Sequence, residues 1–254
     1  MAGKLYLCTT PIGNLEDITL RVLRTLKEVD LIAAEDTRNS IHLLNHFDIK
    51  TPLTSYHEYN KVDKAYQLVE KMQQGTNIAL ITDAGTPGIS DPGEDLVRIC
   101  YEQGIEVTSL PGAAACITAL TLSGLPTRRF SFEAFLPKEK KERAAVLEEL
   151  KNDTRTLIVY EAPHHLLGTL KELQNALGDR RLTVCRELTK KFETAFQTTF
   201  SEAIRYYEEQ GVRGECVLVI EGRSREELVQ EAQQSWEAIS VEEHMEHYLS
   251  TGMD

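Results

Sequence analysis

Residues 77–93 read NIALITDAGTPGISDPG and join an apolar run to a long, turn-rich loop. The run Ile78–Ile81 is apolar at every position, which predicts a strand covered by helices on both faces of a parallel sheet. The loop Asp83–Gly93 contains three glycines, two prolines and two aspartates. Glycine lets the backbone approach a ligand closely, and proline fixes a loop before binding. The stretch therefore predicts an α/β fold whose central strand ends in a binding loop.

Strand-like and helix-like segments alternate on both sides of this stretch. Short apolar runs predict strands, and apolar positions that recur every three or four residues predict helices. Such alternation is typical of an α/β sheet, so we expect a mostly parallel N-terminal sheet with helices on both faces. The predicted strands are 5–10, 31–35, 77–82 and 106–110, and the predicted helices are 19–29, 61–74, 92–103 and 113–122.

The segment SGLPT at 123–127 breaks this pattern and is interpreted as a linker. It would separate an N-terminal α/β domain (1–122) from a C-terminal α/β domain (128–222), which an acidic helical tail (223–254) follows. In the second domain two strands follow each other without a helix between them, which predicts a mixed sheet with helices. Its predicted strands are 129–135, 155–161, 182–187, 193–200 and 215–221, and its predicted helices are 140–151 and 164–177.

The charge of the 254-residue chain is strongly negative but unevenly distributed. A net charge of −12 argues against a nucleic-acid partner, because phosphate binding needs a basic surface. The net charge is −6 over residues 1–125, +3 over 126–199 and −9 over 200–254. The global value therefore leaves room for an anionic partner that contacts the middle of the chain.

Cysteine usage and hydropathy favour a reduced, soluble protein. The five cysteines are widely spaced and form no C-x-x-C pair, which argues against zinc-ribbon and dithiol redox sites. His42 and His46 are four residues apart without an accompanying acidic ligand, so we expect packing or surface roles and no metal. No apolar run is long enough for a signal peptide or a membrane span. We expect a cytoplasmic protein without a membrane partner.

Three loops that follow predicted strands contain glycine and proline: 10–14, 83–93 and 110–113. In an open α/β sheet ligands bind at the carboxyl ends of the strands, so these loops would form one preorganised pocket with Asp83 as its acidic group. The Pro11–Gly13 loop alone also fits an ordinary turn. Neither the G-x-G-x-x-G nor the G-x-x-x-x-G-K-[ST] phosphate-binding pattern is present. The pocket would therefore suit a ligand without a phosphate chain.

Two charged clusters close predicted strands. Glu35–Arg38 (EDTR) fits either a helix N-cap, with Asp36 as the cap, or a phosphate contact through Arg38. Arg186–Lys191 (RELTKK) fits either a charged, solvated turn or a catalytic or RNA-facing cluster. These residues alone leave both pairs of interpretations open.

Seven short motifs are spread in order over about residues 4–222. They are TDAGTPGISDPG (82–93), PGA (111–113), SGLPT (123–127), FLPK (135–138), EAPH (161–164), RELTK (186–190) and GECVLVI (214–220). No single motif is specific, but the set resembles the tetrapyrrole methylase superfamily, and most closely its branch that methylates small-subunit ribosomal RNA.

The resemblance implies a class III methyltransferase fold of two α/β domains, with S-adenosylmethionine in the cleft between them. It implies an enzyme that methylates the ribose 2′-oxygen of a cytidine, position 1402, in 16S ribosomal RNA, and it implies a homodimer. This cofactor carries a sulfonium and an amino-acid tail but no phosphates, in agreement with the pocket predicted above. The cofactor-binding positions carried over are Pro11, Gly13, Asp83, Ala84, Gly85, Thr86, Pro111, Gly112, Ala162 and Val217.

The chain departs from the family pattern at three places. His165 stands where arginine is common after Pro-His, and Gln197-Thr198 stands where Arg-Gly is common. Ala134 stands where the family has glycine in Phe-x-Gly-Phe. The loss of two arginines bears on the RNA contacts and leaves the cofactor positions intact.

Methyl transfer to a ribose hydroxyl requires in-line placement and a group that helps this weak nucleophile to lose its proton. Glu187 or Asp36 is predicted as the base, and Lys190 or Arg38 as the cation that holds the hydroxyl or the adjoining phosphate. We expect the basic middle of the chain to line an RNA-facing groove. The residues predicted there are Arg128, Arg129, Lys138, Lys140, Lys141, Arg143 and Lys191.

Two other functions remain open at the level of sequence. One is a methyltransferase of the same fold that acts on a tetrapyrrole or corrin precursor. The other is a non-catalytic ligand- or RNA-binding module that keeps only the pocket. The SGLPT, FLPK, EAPH and RELTK motifs favour RNA over a small molecule, and turnover would separate either enzyme from the module.

Overall fold

The structure, a computed structural model, describes residues 2–237 and divides into two compact units. The turn that bears Glu187 and Lys190 belongs to the first unit. Of the described residues, that unit contains 2–122, Cys185–Ala195 and Gly214–Val217, and the second contains Ser123–Val184, Phe196–Arg213 and 218–237.

A five-stranded sheet forms the centre of the first unit. Its strands are β1 (Lys4–Cys8), β2 (Leu31–Ala34), β3 (Leu53–Ser55), β4 (Ile78–Ile81) and β5 (Glu106–Leu110). They are ordered β3-β2-β4-β1-β5, and all neighbouring pairs are parallel. The predicted parallel N-terminal sheet is confirmed, and all five strands end at the same edge.

Helices cover both faces of this sheet. They are α1 (Leu20–Glu28), α2 (Thr37–His46), α3 (Lys61–Gln73), α4 (Gly93–Glu102) and α5 (Ala115–Ser123). Buried residues of α1 and α2 share one apolar core with Ala79 and Ile81. Those of α3 and α4 share another with Ile78 and Leu80. Alternate residues of β4 thus face different cores, which confirms that this strand is covered on both faces.

The second sheet is mixed, as predicted. Its strands are β6 (Phe130–Phe135), β7 (Thr156–Glu161), β8 (Arg181–Arg186), β9 (Thr194–Thr199) and β10 (Cys216–Ile220), ordered β6-β7-β10-β8-β9. β6 and β7 are parallel. Glu221, after the end of β10, donates its N–H to the carbonyl of Arg181 at the start of β8, so these two neighbours are antiparallel.

Three helices connect strands of this sheet along the chain: α6 (Lys140–Leu150), α7 (Leu166–Leu177) and α8 (Phe200–Gln210). A fourth helix, α9 (Arg225–Glu237), follows the last strand. The predicted acidic tail begins with α9, and its residues 238–254 lie outside the described part of the chain. Across residues 2–237 no helix is both long and apolar enough to cross a membrane.

Four elements were not predicted: α2, β3, α8 and a short 3-10 helix (Leu15–Asp17). Only Ser40 and Leu44 are buried in α2, so its apolar periodicity is weak. β3 has three residues, fewer than a strand pattern needs. The strand predicted over 193–200 stops one residue earlier, because the Thr199 hydroxyl accepts the N–H of Glu202 and caps α8. The five cysteines are buried and are not joined in disulfides.

Candidate active site

The loops after β1 and β4 are joined at the carboxyl edge of the first sheet. The N–H of Thr10 donates to the carbonyl of Gly85 at 2.9 Å, and the N–H of Gly85 donates back at 3.1 Å. The Thr10 hydroxyl also donates to the carbonyl of Thr82 at 3.1 Å. Gly85 has φ of +86°, a conformation that favours glycine. Two of the three predicted binding loops therefore form one backbone structure.

The third predicted loop, after β5, joins the same assembly. The Thr9 hydroxyl donates to the carbonyl of Leu110 at 2.8 Å, and the Thr86 hydroxyl donates to that of Ala113 at 3.1 Å. A Cβ on Gly112 would lie 2.7 Å from the Thr9 side chain, so only glycine allows this approach. The structure thus brings the loops at Pro11–Gly13, Asp83–Thr86 and Pro111–Gly112 together, as predicted.

Asp83, the predicted acidic group of the pocket, also anchors the neighbouring strand end. One carboxylate oxygen accepts the N–H of Asp36 at 3.2 Å, and the other accepts the side-chain amide of Asn39 at 3.1 Å. In addition, the Thr82 hydroxyl donates to the Glu35 carboxylate at 2.6 Å. The residues after β2 are therefore fixed to the binding loop.

Asp91 holds the long loop in place from within. Its carboxylate accepts the N–H groups of Gly88 at 2.9 Å, Ile89 at 3.2 Å and Gly93 at 2.7 Å. Between these donors Ser90 has φ of +64°, a strained value for a residue with a side chain. Three hydrogen bonds to one carboxylate fix the backbone of this loop.

These three loops share an unusual charge pattern. Segments 9–14, 83–93 and 110–114 contain no lysine, arginine or histidine, and their charged side chains are Asp83 and Asp91. Phosphate groups in proteins are commonly held by arginine and lysine side chains. The composition therefore fits a ligand with cationic groups and no phosphate chain.

The RELTK turn lies against the loop after β1. A Cβ on Gly13 would lie 2.5 Å from Cγ of Lys190 and 2.9 Å from the hydroxyl oxygen of Thr189. That hydroxyl is buried without a hydrogen-bond partner. The turn is strained, because Glu187 has φ of +51° and Thr189 has φ of +66°. Gly13 permits this contact, and strain of this kind persists only where surrounding contacts impose it.

Glu187 and Lys190 form a charged network with Glu215. The Lys190 ammonium lies 3.1 Å from Oε1 of Glu187 and 2.9 Å from Oε2 of Glu215. Oε1 of Glu187 also accepts the N–H of Glu215 at 2.9 Å. That hydrogen bond, with those from Lys190, lowers the pKa of Glu187. Desolvation lowers the pKa of Lys190, but hydrogen bonds to Glu215 and Glu187 outweigh it and the pKa is raised. The network therefore holds a carboxylate and an ammonium beside the β1 loop.

The other charged cluster forms a helix cap. The Asp36 carboxylate accepts the N–H of Arg38 at 2.8 Å and caps α2, as one of the two interpretations expected. The carboxylate also accepts a hydrogen bond from Nη2 of Arg38 at 2.7 Å. Hydrogen bonds from the Arg38 side chain and backbone lower the pKa of Asp36 to about 2. The Arg38 side chain is 88% exposed, so its outer face remains open to an anion.

The basic residues predicted to face RNA fall into separate groups. Arg128 and Arg129 precede β6, whereas Lys138, Lys140 and Lys141 follow it, and all are exposed. Lys191 is also exposed and directly follows the RELTK turn.

Arg143, the seventh residue of that set, is held inside the protein fold. It is 18% exposed and donates to the carboxylate of Glu172 at 2.6 Å and to the hydroxyl of Thr169 at 2.8 Å. Arg143 therefore ties α6 to α7.

Of the two remaining cofactor candidates, one follows a strand of the second sheet and the other lies within one. Ala162 follows β7 and donates its N–H to the carboxylate of Glu161 at 2.8 Å. Val217 is buried in β10, one residue from its start.

Sequence reasoning missed four residues that hold the site: Thr9, Asn39, Asp91 and Glu215. Asn39 and Glu215 act on partners 44 and 28 residues away, Asp83 and Glu187. Nothing local marks such pairs. Asp91 could have been found, because an aspartate between glycines and a proline often accepts backbone N–H groups in a turn.

Solved structures with the same architecture include a uroporphyrin-III-C-methyltransferase and a diphthine synthase. The crystal structure of uroporphyrin-III-C-methyltransferase from Thermus thermophilus has a TM-score of 0.62 and 20% identity, and covers 86% of this chain and 94% of that one. A crystal structure of diphthine synthase has a TM-score of 0.64 and 11% identity, and covers 85% of this chain and 89% of that one. At these identities the similarity shows the fold alone.

Sequence comparison defines the family. The model of the family described as Tetrapyrrole (Corrin/Porphyrin) Methylases matches residues 4–204. The chain is 50% identical over 250 residues to ribosomal RNA small subunit methyltransferase I of Halalkalibacterium halodurans, covering 98% of this chain and 86% of that protein. The protein of the same name from Synechocystis is 53% identical over 226 residues, covering 89% and 81%. The chain therefore belongs to the tetrapyrrole methylase family and, within it, to the branch of the ribosomal RNA small subunit methyltransferase I proteins.

Proposed function

We propose that this protein transfers a methyl group from S-adenosylmethionine to the ribose 2′-oxygen of a cytidine in 16S ribosomal RNA, at position 1402. The observation that carries the proposal is the contact of the RELTK turn with Gly13. It places a carboxylate and an ammonium beside three fused loops that lack basic residues. Relatives about half identical are named as small-subunit ribosomal RNA methyltransferases, which supports the substrate.

The fused loops suit the cofactor chemically. S-adenosylmethionine has a cationic sulfonium and an ammonium, and when bound it supplies an electrophilic methyl group. A pocket with aspartates and without lysine, arginine or histidine favours those cations. The residues proposed to hold it are Pro11, Gly13, Asp83, Ala84, Gly85, Thr86, Pro111, Gly112, Ala162 and Val217.

Glu187 and Lys190 are the residues proposed to act on the ribose hydroxyl. The raised pKa of Lys190 keeps it an ammonium, so it acts as a hydrogen-bond donor that orients the oxygen. Glu187 remains a carboxylate and accepts the proton as the new carbon–oxygen bond forms. Its lowered pKa makes it a weak base, which suffices where the proton leaves together with bond formation.

Asp36 and Arg38 are proposed to act on the adjoining phosphate. The Asp36 carboxylate is engaged by the helix cap and by Arg38, so its basicity is low. Arg38 is oriented by Asp36 and exposed, which suits a phosphate contact. Asp36 is then a positioning residue, and the cluster of Glu187 and Lys190 is favoured as the one that acts on the hydroxyl.

Basic side chains at both ends of β6, together with Lys191, are proposed to contact more distant phosphates. We also propose a cytoplasmic homodimer, for which Ile117 and Leu122 supply exposed apolar surface on α5. A restricted basic surface on an acidic chain fits a folded ribosomal subunit better than arbitrary RNA.

Mass mapping of 2′-O-methyl groups on 16S ribosomal RNA tests this function. RNA from cells with the protein should carry the mark at the target cytidine, and RNA from cells without it should not. A tritium-transfer assay on small ribosomal subunits and on a corrin precursor complements the mapping. Transfer to the corrin precursor alone, or an unchanged RNA map, would refute the proposal.

A further inference from the structure

The turn that carries Glu187 continues into a rigid segment that ends at Glu193. The N–H of Lys190 donates to the carbonyl of Glu187 at 3.0 Å, and that of Glu193 donates to the carbonyl of Lys190 at 3.1 Å. The Glu193 carboxylate accepts the N–H of Thr189 at 2.5 Å. Two residues with positive φ and three hydrogen bonds leave this backbone little freedom.

This rigid segment presents an aromatic ring to solvent. Phe192 is 69% exposed, and the Lys191 ammonium lies 5.6 Å from its ring centroid. Packing does not explain an exposed phenylalanine, because its apolar surface remains in contact with water. The ring lies two residues from Lys190, whose side chain touches the β1 loop.

We infer that Phe192 stacks on a nucleobase next to the target nucleotide, while Lys191 contacts a neighbouring phosphate. The inference rests on the proposed function and adds to it a residue that positions the RNA. Single-stranded RNA is commonly held by aromatic rings that stack on splayed bases, with cations beside them.

The surroundings of Phe192 favour a base over an apolar protein surface. Its neighbours Lys190, Lys191 and Glu193 are charged, so an apolar partner would have to bury charges together with the ring. A base instead offers a π-face to the ring and a phosphate to the lysine. A phenylalanine held on a rigid turn also loses little conformational entropy on stacking.

Four substitutions separate stacking from simple apolar contact. Phe192→Ala should lower kcat/KM for small subunits roughly 5- to 100-fold, mainly through KM, because it removes one stacked base. Phe192→Tyr and Phe192→Trp should retain most of the activity, whereas Phe192→Leu should behave like Phe192→Ala. Cofactor affinity, measured by calorimetry, should not change in any variant.

Tyr101 provides the matched control, because it is 68% exposed but lies near the C-terminal end of α4, at the opposite edge of the first sheet. Tyr101→Ala should leave kcat/KM unchanged. If Phe192→Leu were as active as wild type, or if Tyr101→Ala and Phe192→Ala lost the same activity, the stacking role would be wrong.

A photo-crosslink identifies the partner directly. The variant Phe192→p-benzoylphenylalanine, mixed with small subunits from cells that lack this protein, should crosslink to 16S ribosomal RNA. Crosslinks only to ribosomal proteins would overturn the inference. If the Phe192→p-benzoylphenylalanine variant crosslinked to 16S ribosomal RNA while the wild-type protein bound subunits but transferred no methyl group, the proposed function would be refuted and the RNA contact would stand.

Discussion

The two charged clusters of this chain look alike in sequence and differ in structure. Asp36 and Arg38 use ordinary backbone geometry, and the aspartate caps α2. Glu187 and Lys190 occupy a strained turn, are held by Glu215 and touch the β1 loop. The Asp36 carboxylate is bound by its near neighbour Arg38, and distant Asp83 binds only the backbone N–H of Asp36. The charged groups of Glu187 and Lys190 are instead bound by the distant Glu215. The contrast teaches that two clusters of similar charge differ in the long-range restraint of their charged groups, and it is this restraint that leads us to propose the second as the reactive one.

The largest expected effect comes from the carboxylate of the restrained cluster. Glu187→Gln keeps an oxygen that can accept the Glu215 N–H but removes the negative charge and the proton acceptor. We expect the single-turnover rate of methyl transfer to fall roughly 10²- to 10⁴-fold. Cofactor affinity should stay the same in calorimetry. A rate within experimental error of wild type would remove Glu187 from the mechanism.

The contact between Gly13 and Lys190 can also be disrupted by a substitution at Gly13. In Gly13→Ala the new Cβ would lie 2.5 Å from Cγ of Lys190, so the lysine must move. We expect kcat to fall roughly 10²-fold, because displacement by about 1 Å is enough to disturb a positioned group.

Gly168→Ala is the matched control for this substitution, since a Cβ there meets nothing within 4 Å. It should raise stability by roughly 0.5–1 kcal/mol, because Gly168 lies inside α7, and should leave kcat unchanged. Equal kcat for Gly13→Ala and Gly168→Ala would contradict the claim that the contact with Gly13 holds Lys190 in position.

The cluster of Asp36 and Arg38 should contribute more to the stability of the folded state than to the rate of methyl transfer. The pKa of Asp36 is lowered to about 2, so its ionised form stabilises the folded state. The contribution is complete above the unfolded-state pKa of about 3.9 and is lost as the pH falls towards the folded-state value.

Urea unfolding of wild type and Asp36→Asn measures this contribution. Wild type should be the more stable at neutral pH, and the difference should shrink between about pH 4 and pH 2. The methyl-transfer rate at saturating subunits should change little. A difference in stability that is constant over this pH range would rule out the ionised cap as its source.

The smallest effect is expected from a substitution that tests whether a strained backbone by itself identifies a functional residue. Ala134 has φ of +51°, like Glu187, but lies at an irregularity of β6 where its family has glycine. Ala134→Gly should relieve this strain and raise stability by roughly 1 kcal/mol, measured by denaturant unfolding, without changing the methyl-transfer rate. A changed rate would show that strain in β6 also serves the reaction.

Much of the fold follows from short-range pattern. The apolar run at Ile78–Ile81 and the glycines after α3 and α4 mark elements that the structure contains. β3 and α2 could not be predicted from the sequence, because β3 has only three residues and α2 buries only two of its side chains. In both cases tertiary packing supplies what the local pattern lacks.

The site could be predicted in its loops but not in its connections. Glycine and proline mark the turns at the sheet edge, and the parallel order of strands brings them together. The pairing of Lys190 with Glu215, and of Asp83 with Asn39, depends on how the chain returns to this edge. No spacing in the sequence encodes those contacts.

Single-turnover methyl transfer by Lys190→Ala and Arg38→Ala is the most direct test of the central claim, that the restrained cluster acts on the hydroxyl. Both variants are compared with wild type at saturating S-adenosylmethionine and saturating small subunits from cells that lack the protein. We predict that Lys190→Ala is slower by roughly 10²-fold or more, while Arg38→Ala keeps nearly the full rate and loses only subunit affinity. A wild-type rate for Lys190→Ala together with a large loss for Arg38→Ala would contradict the account.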